Sequence, residues 1–107
     1  MIVVTGSAGY IGNALTKKLT ALGYDIDTWD IRQPMDKPME NVKCVVHLAA
    51  LVRVGESVKR PLDYYDTNVT GTLNVIRAFP NAKMVFASTG AAFSPDSPYG
   101  HSKVMAE

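Results

Sequence analysis

Two groups of residues in this sequence have the types and spacing to do chemistry. The first is Thr5-Gly6-Ser7-Ala8-Gly9-Tyr10-Ile11-Gly12, in which glycine recurs at every third position directly after a β-branched run. Gly6 permits a tight turn, Gly9 lets backbone approach a pyrophosphate, and Gly12 lets a following helix pack close to a sheet. Backbone N–H groups near Tyr10 and Ile11 then face an anion at a helix N-terminus, where the dipole favours negative charge. Gly6, Ser7, Gly9, Tyr10, Ile11 and Gly12 are therefore candidate contacts to a dinucleotide. The second group is Tyr99-Gly-His-Ser-Lys103, which puts a phenol and an ammonium at i, i+4 on one helical face. A free tyrosine, with a pKa of ~10, is a poor base at neutral pH. A nearby ammonium favours the phenolate and lets the ring exchange a proton with a substrate hydroxyl during hydride transfer to a nicotinamide. Ser88-Thr89 could supply the hydroxyl such chemistry needs beside it.

These residues need a frame, and the periodicity supplies one. Met1 to Thr5 reads as a buried parallel strand. Ile11, Ala14, Leu15, Leu19 and Leu22 recur at helical spacing, and Gly23 stands where a helix-terminating residue is wanted. A second strand runs from Tyr24 to Asp30, where Asp25 and Asp27 suit an exposed edge. Ile31 to Asn41, with Pro34 and Pro38, reads as a loop, and Val42 to Leu48 as a third strand. Leu51 to Arg60 has no period. Pro61 opens a long helix to about Phe79, with Leu62, Tyr65, Val69, Leu73 and Ile76 along one face. Lys83 to Ser88 is a fourth strand, Thr89 to Asp96 a turn, and Ser97-Pro98 the N-cap and first residue of a last helix running to Glu107. The expected fold is α/β, a minimal three-layer Rossmann-type domain of about four parallel strands joined by right-handed crossovers. Asp30 then closes the second strand where a carboxylate would accept the adenosine ribose hydroxyls, which favours NAD over NADP. Arg32, two residues on, could partly answer a 2′-phosphate.

At 107 residues there is room for a single domain. A net charge of +1 with scattered basic and acidic residues implies no nucleic-acid partner. Cys44 is the only cysteine, so there is no disulfide framework and no cysteine metal site. The apolar runs are far shorter than the ~20 residues of a membrane span, and a first strand starting at Ile2 leaves no space for a signal peptide. A cytoplasmic protein without metal is the expectation. His47 reads as a strand histidine near the core, and Cys44 as packing.

Taken in order, the glycine loop, Asp30, Ser88-Thr89 and Tyr99-Lys103 resemble the extended short-chain dehydrogenase/reductase superfamily, in its NAD-dependent nucleotide-sugar epimerase/dehydratase branch of UDP-galactose epimerase type. Val46-His-Leu-Ala-Ala50 is similar to the family strand that ends against adenine and ribose. Val54 to Val58, then Pro61, Tyr65, Asn68, Gly71-Thr72 and Asn74, are similar to its following loop and helix. The resemblance implies Tyr99 as acid/base, Lys103 as its ribose-binding partner, and Thr89 as the hydroxyl orienting substrate. It adds Ile31, Arg32, Leu48, Ala49, Ala50, Asn68 and Ala87 to the cofactor contacts, NAD as cofactor, and a nucleotide sugar as candidate substrate.

The departures are specific. After the second strand the family carries a further strand and helix, where this chain has only Ile31 to Asn41, so an adenine contact is lost and the second strand becomes an edge. The spacing from Thr89 to Tyr99 is compressed, and Phe93-Ser94 stands where the family often has Tyr-Gly. The later strands and the C-terminal substrate domain are lacking. One sheet face then keeps only the Ile11–Leu22 helix, which implies a homo-oligomer formed through helices 61–79 and 98–107. Three functions stay open: a minimal NAD-dependent enzyme, a dinucleotide-binding module without turnover, and a partner-completing fragment of an epimerase.

Overall fold

The computed structural model describes residues 1–34, 39–89 and 97–107. Four strands, β1 (Ile2–Thr5), β2 (Ile26–Trp29), β3 (Cys44–His47) and β4 (Lys83–Phe86), form one parallel sheet in the order β2-β1-β3-β4. Each strand is shorter than the apolar run that encodes it, because only the residues matched across the sheet pair. Thr5, Trp29, His47 and Phe86 lie in one row at the C-terminal ends. β2 is the edge strand its aspartates suggest. There the Asp27 Oδ1 accepts the N–H of Thr28 at 2.8 Å, both residues being exposed.

The helices are α1 (Tyr10–Ala21), α2 (Val54–Lys59), α3 (Pro61–Tyr65), α4 (Gly71–Ala78) and α5 (Pro98–Ala106), with a π-helical turn at Asp66–Thr70 joining α3 to α4. α1 ends as its glycine requires: Gly23, at φ +88°, donates to Thr20 O at 3.0 Å, and Tyr24 donates to Leu19 O at 3.1 Å. Ser97 caps α5 through its hydroxyl, which accepts from Gly100 N at 3.1 Å, with Pro98 in the first turn.

Because successive strands lie on opposite sides of β1, right-handed crossovers send α1 to one face of the sheet and the α3–α4 helix to the other. On the α4 face Val3 and Val45 pack with Val75 and Phe79, and Trp29 meets Phe79 edge-on at 6.0 Å. On the other face α1 packs against β1 and β2 and leaves Val85 of β4 54% exposed.

Three expectations are corrected. Leu51 to Arg60 is not irregular throughout, since Val54–Lys59 forms α2. Six residues are too few to show a period, and packing against α3 and α5 decides the conformation. Only Leu15 and Leu19 of the α1 stripe are half-buried, whereas Ile11, Ala14 and Leu22 are exposed. A 12-residue helix is about 18 Å long and a four-residue strand about 13 Å, so the helix ends overhang the sheet. The stripe Leu62, Tyr65, Val69, Leu73, Ile76 faces away from the sheet, with Leu62 81% exposed. The buried face of that helix carries Tyr64, Asn68, Thr72, Val75 and Phe79 instead. The proposed turn through Asp96, with Phe93 and Ser94, lies outside the described residues apart from Thr89, as does Pro38 of the β2–β3 connection.

Candidate cofactor site

At the point where the strand order reverses, the chain leaves β1, β2 and β3 through Gly6, Asp30 and Leu48. Open α/β sheets place ligands in this crevice. A cavity of about 290 Å³ opens there, lined by Gly6, Ser7, Gly9, Asp30, Ile31, Arg32, Leu48, Ala49 and Ala50 of the expected contacts. Ala8, Leu51 and Thr67 line it too. Leu51 and Ala8 extend segments already singled out. Thr67 lies in the π turn and has no signal in the sequence.

The loop is built by its glycines. Gly6 has φ +71°, and a Cβ there would come within 2.8 Å of Ala49 N, so loop and β3 end are in backbone contact. A Cβ on Gly12 would strike the Gly6 carbonyl, so Gly12 is dictated by the loop itself rather than by the sheet beneath the helix. At Gly9 a Cβ would stand 3.3 Å from Gly6 O. Gly9 is the N-cap of α1, no side chain caps the helix, and its first turn carries no acidic residue. The positive end of α1 thus meets no protein carboxylate in its own first turn, as a pyrophosphate site requires. Tyr10, Ile11 and Gly12 lie in that turn but do not line the cavity.

Asp30 is held by Arg32. The guanidinium donates from Nε to Oδ1 at 3.0 Å and from Nη2 to Oδ2 at 2.8 Å, and the Arg32 backbone N–H adds a third bond at 3.0 Å. The hydrogen bonds from Arg32 pull the Asp30 pKa down to about 2, so the carboxylate stays ionised at all ordinary pH.

The wall of the cavity rests on a buried network centred on His47, which the sequence suggests only as a strand histidine near the core. Thr5 Oγ1 accepts the N–H groups of Leu48 and Ala49, both at 3.2 Å, and lies 2.7 Å from His47 Nδ1. His47 Nε2 lies 2.9 Å from Thr72 Oγ1, which donates to Asn68 O at 2.7 Å. Burial, helped by the charge of Lys103, pushes the His47 pKa down to about 4, so the ring is neutral.

Asn68 does not line the cavity. Its Oδ1 accepts Leu51 N at 2.9 Å, and its Nδ2 donates to Leu51 O at 3.0 Å and to Ser102 Oγ at 2.9 Å. Ser102 in turn donates to Tyr99 O at 2.8 Å. Asn68 thereby ties a lining residue to α5, and it does so from a π turn, a device common at functional sites.

Tyr99 and Lys103 are both buried on α5, one turn apart. The Tyr99 ring meets Tyr64 edge-on at 6.3 Å. The fully buried Tyr64 is itself fixed by its hydroxyl, which accepts Arg53 N at 2.9 Å and donates to Glu56 Oε1 at 3.3 Å. Lys103 Nζ lies 4.4 Å from the centre of the Phe86 ring, and burial lowers its pKa against the opposing pull of Glu107. Ala87 donates its N–H to His47 O at 3.4 Å, and Thr89 is half-buried. None of Thr89, Tyr99, Lys103 and Ala87 lines the cavity. Among the described residues no cluster of His, Cys, Asp and Glu could hold a metal ion, and no helix is long and apolar enough to cross a membrane.

Comparison with known proteins agrees with this geometry. The UDP-glucose 4-epimerase of Rhizobium meliloti (strain 1021) is 34% identical over 146 aligned positions, covering 99% of this chain and 44% of that protein. That of Lactobacillus helveticus is 31% identical over 147 positions, with the same coverage. The chain thus spans less than half the length of these relatives, which also carry extra residues inside the matched stretch. Among solved structures, TunA, an NAD-dependent NDP-hexosamine 5,6-dehydratase of tunicamycin biosynthesis, superposes with a TM-score of 0.86 at 30% identity, covering 98% of this chain and 46% of that one. The Bifidobacterium longum UDP-glucose 4-epimerase, solved with NAD+ and UDP, gives 0.84 at 25% identity with the same coverage. The model of the NAD dependent epimerase/dehydratase family matches residues 2–107, and the chain belongs to that family.

Proposed function

We propose that this chain binds NAD through the Gly6–Gly12 loop and Asp30, and that α5 carries the proton-transfer groups of a nucleotide-sugar oxidoreductase or epimerase. The observation that carries the reading is the cavity itself, in which an uncapped helix start, a glycine turn and a carboxylate converge. When bound, the nicotinamide would supply a reversible hydride acceptor. The loop would hold the pyrophosphate, and Asp30 the adenosine ribose hydroxyls. Tyr99 would exchange a proton with a substrate hydroxyl, Lys103 would supply positive charge one turn away, and Thr89 would orient the substrate. A cytoplasmic setting belongs to the same reading, supported by a lone unpaired Cys44.

Calorimetric titration with NAD, NADH, NADP and NADPH tests this. Saturable binding with the non-phosphorylated pair preferred is the expected result, and no binding by folded protein would overturn it. Tyr99→Phe should abolish turnover and spare NAD binding. If turnover is never seen while NAD binds, the chain is a dinucleotide-binding module or a fragment completing a partner.

A homo-oligomer through helices 61–79 and 98–107 is part of this reading. Its support is the outward apolar stripe, where Leu62, Tyr65, Val69 and Met105 line an open groove between α3 and α5. A monodisperse monomer in light scattering would refute it.

A further inference from the structure

The hydrogen-bond partners of His47 determine which of its nitrogens carries the proton. Thr72 spends its hydroxyl proton on Asn68 O, so at His47 it can only accept, and Nε2 must be the protonated nitrogen. Nδ1 is then bare and accepts the proton of Thr5. With that proton turned toward the ring, both lone pairs of Thr5 Oγ1 are free for the N–H groups of Leu48 and Ala49. Every group in the chain from Asn68 O to Ala49 N is satisfied in this one arrangement.

The alternative tautomer fails at the cavity. A proton on Nδ1 would have to be accepted by Thr5, giving one hydroxyl oxygen three donors for two lone pairs. The Leu48 N–H would fall back on its second acceptor, the Thr5 main-chain O at 3.3 Å, and the Thr5 hydroxyl proton would lose the ring nitrogen that orients it, beside Gly6, where a Cβ would already come within 2.8 Å of Ala49 N. We propose that His47 is a positioning residue for the dinucleotide site, whose Nε2–H tautomer, selected by Thr72, fixes the Leu48–Ala49 wall through Thr5. Thr72 lies on α4, outside the cavity lining, and its path to Leu48 and Ala49 runs through the ring. The inference rests on the dinucleotide reading of the cavity, but the tautomer can be read without ligand.

The test is a double-mutant cycle in the full chain with NAD as titrant, alongside nitrogen-15 NMR of the imidazole. Wild type should show the Nε2–H tautomer, and a ring protonated at Nδ1 overturns the proposal whether or not NAD binds. Thr72→Val should mix the tautomers, speed amide exchange at Leu48 and Ala49, and raise the Kd for NAD about tenfold, the loss of one buried hydrogen bond. In His47→Asn the amide oxygen takes the place of Nδ1 and keeps Thr5 oriented, without reach to Thr72. Thr72→Val should add nothing to Kd or to exchange in that background. Equal effects of Thr72→Val in both backgrounds, or none in wild type, overturn the proposal. Absence of NAD binding to wild type with the exchange pattern intact would refute the dinucleotide reading alone.

Discussion

Gly12 stands with its α-carbon against the carbonyl of Gly6, so the first turn of α1 closes on the loop that precedes it. Gly6 presses in the same way on the backbone of Ala49. The loop is therefore a packed object, and its glycines have unequal duties. Gly12→Ala and Gly6→Ala should each cost about 2–4 kcal/mol of stability, through overpacking and, at Gly6, a left-handed backbone. Gly9→Ala, at 3.3 Å from its neighbour and with ordinary dihedrals, should fold within about 1 kcal/mol of wild type and lose NAD affinity. Urea melts and calorimetry on the three variants separate these outcomes.

Stability should fall on mild acidification because of His47. Its pKa is about 4 in the folded chain and 6.5 when exposed, so the unfolded state binds the proton first as the pH drops. The contribution is fully present above about pH 6.5 and is lost as the pH falls to about 4, a total of about 3 kcal/mol. The charge of Lys103 adds to the effect, so Lys103→Met should make the loss smaller. Urea midpoints between pH 4 and 7.5 check this, and a flat profile would refute it.

The Asp30–Arg32 pair should set the preference between cofactors. With its pKa near 2, Asp30 stays charged across the whole working range, so the NAD:NADP affinity ratio should change between pH 5 and 8 only with the second ionisation of the 2′-phosphate, at about pH 6, and should rise with pH. Arg32→Ala should weaken NADP binding and leave NAD equal or tighter. Asp30→Asn should narrow the ratio, as four-way titration would show.

Tyr64→Phe removes a hydroxyl on which the Arg53 N–H and the Glu56 carboxylate converge. A loss of about 1–2 kcal/mol is expected from the unpaired donor. The Tyr99 ring should loosen with it, visible as broadened aromatic NMR signals.

The glycine loop, the edge position of β2, the end of α1 and the N-cap of α5 were legible because single residues dictate them. Only glycine fits at 6 and 12, and only a positive φ at Gly23 ends α1 as observed. The long helix was legible in its period but not in its orientation. A stripe from Leu62 to Ile76 is the more apolar face, yet the protein turns Asn68 and Thr72 inward, because His47 and Leu51 offer those polar side chains partners that water would otherwise supply. The part played by His47 was hidden for the same reason: its partners lie at positions 5 and 72, and no local pattern joins them. The position of Asp30 was readable from the strand end, whereas its capture by Arg32 depends on the turn geometry after β2.

The self-bond between Asp27 and Thr28 has a consequence for life in a crowded solution. β2 is the rim of a parallel sheet, and an open rim invites another chain to extend it. At Thr28 the amide is already taken by the neighbouring carboxylate, and the same carboxylate carries charge to the point where a stranger would have to dock. β2 thus stands at the sheet edge without offering Thr28 to a foreign strand. Replacing Asp27 by valine would strip this stretch of the rim of both its charge and its occupied amide.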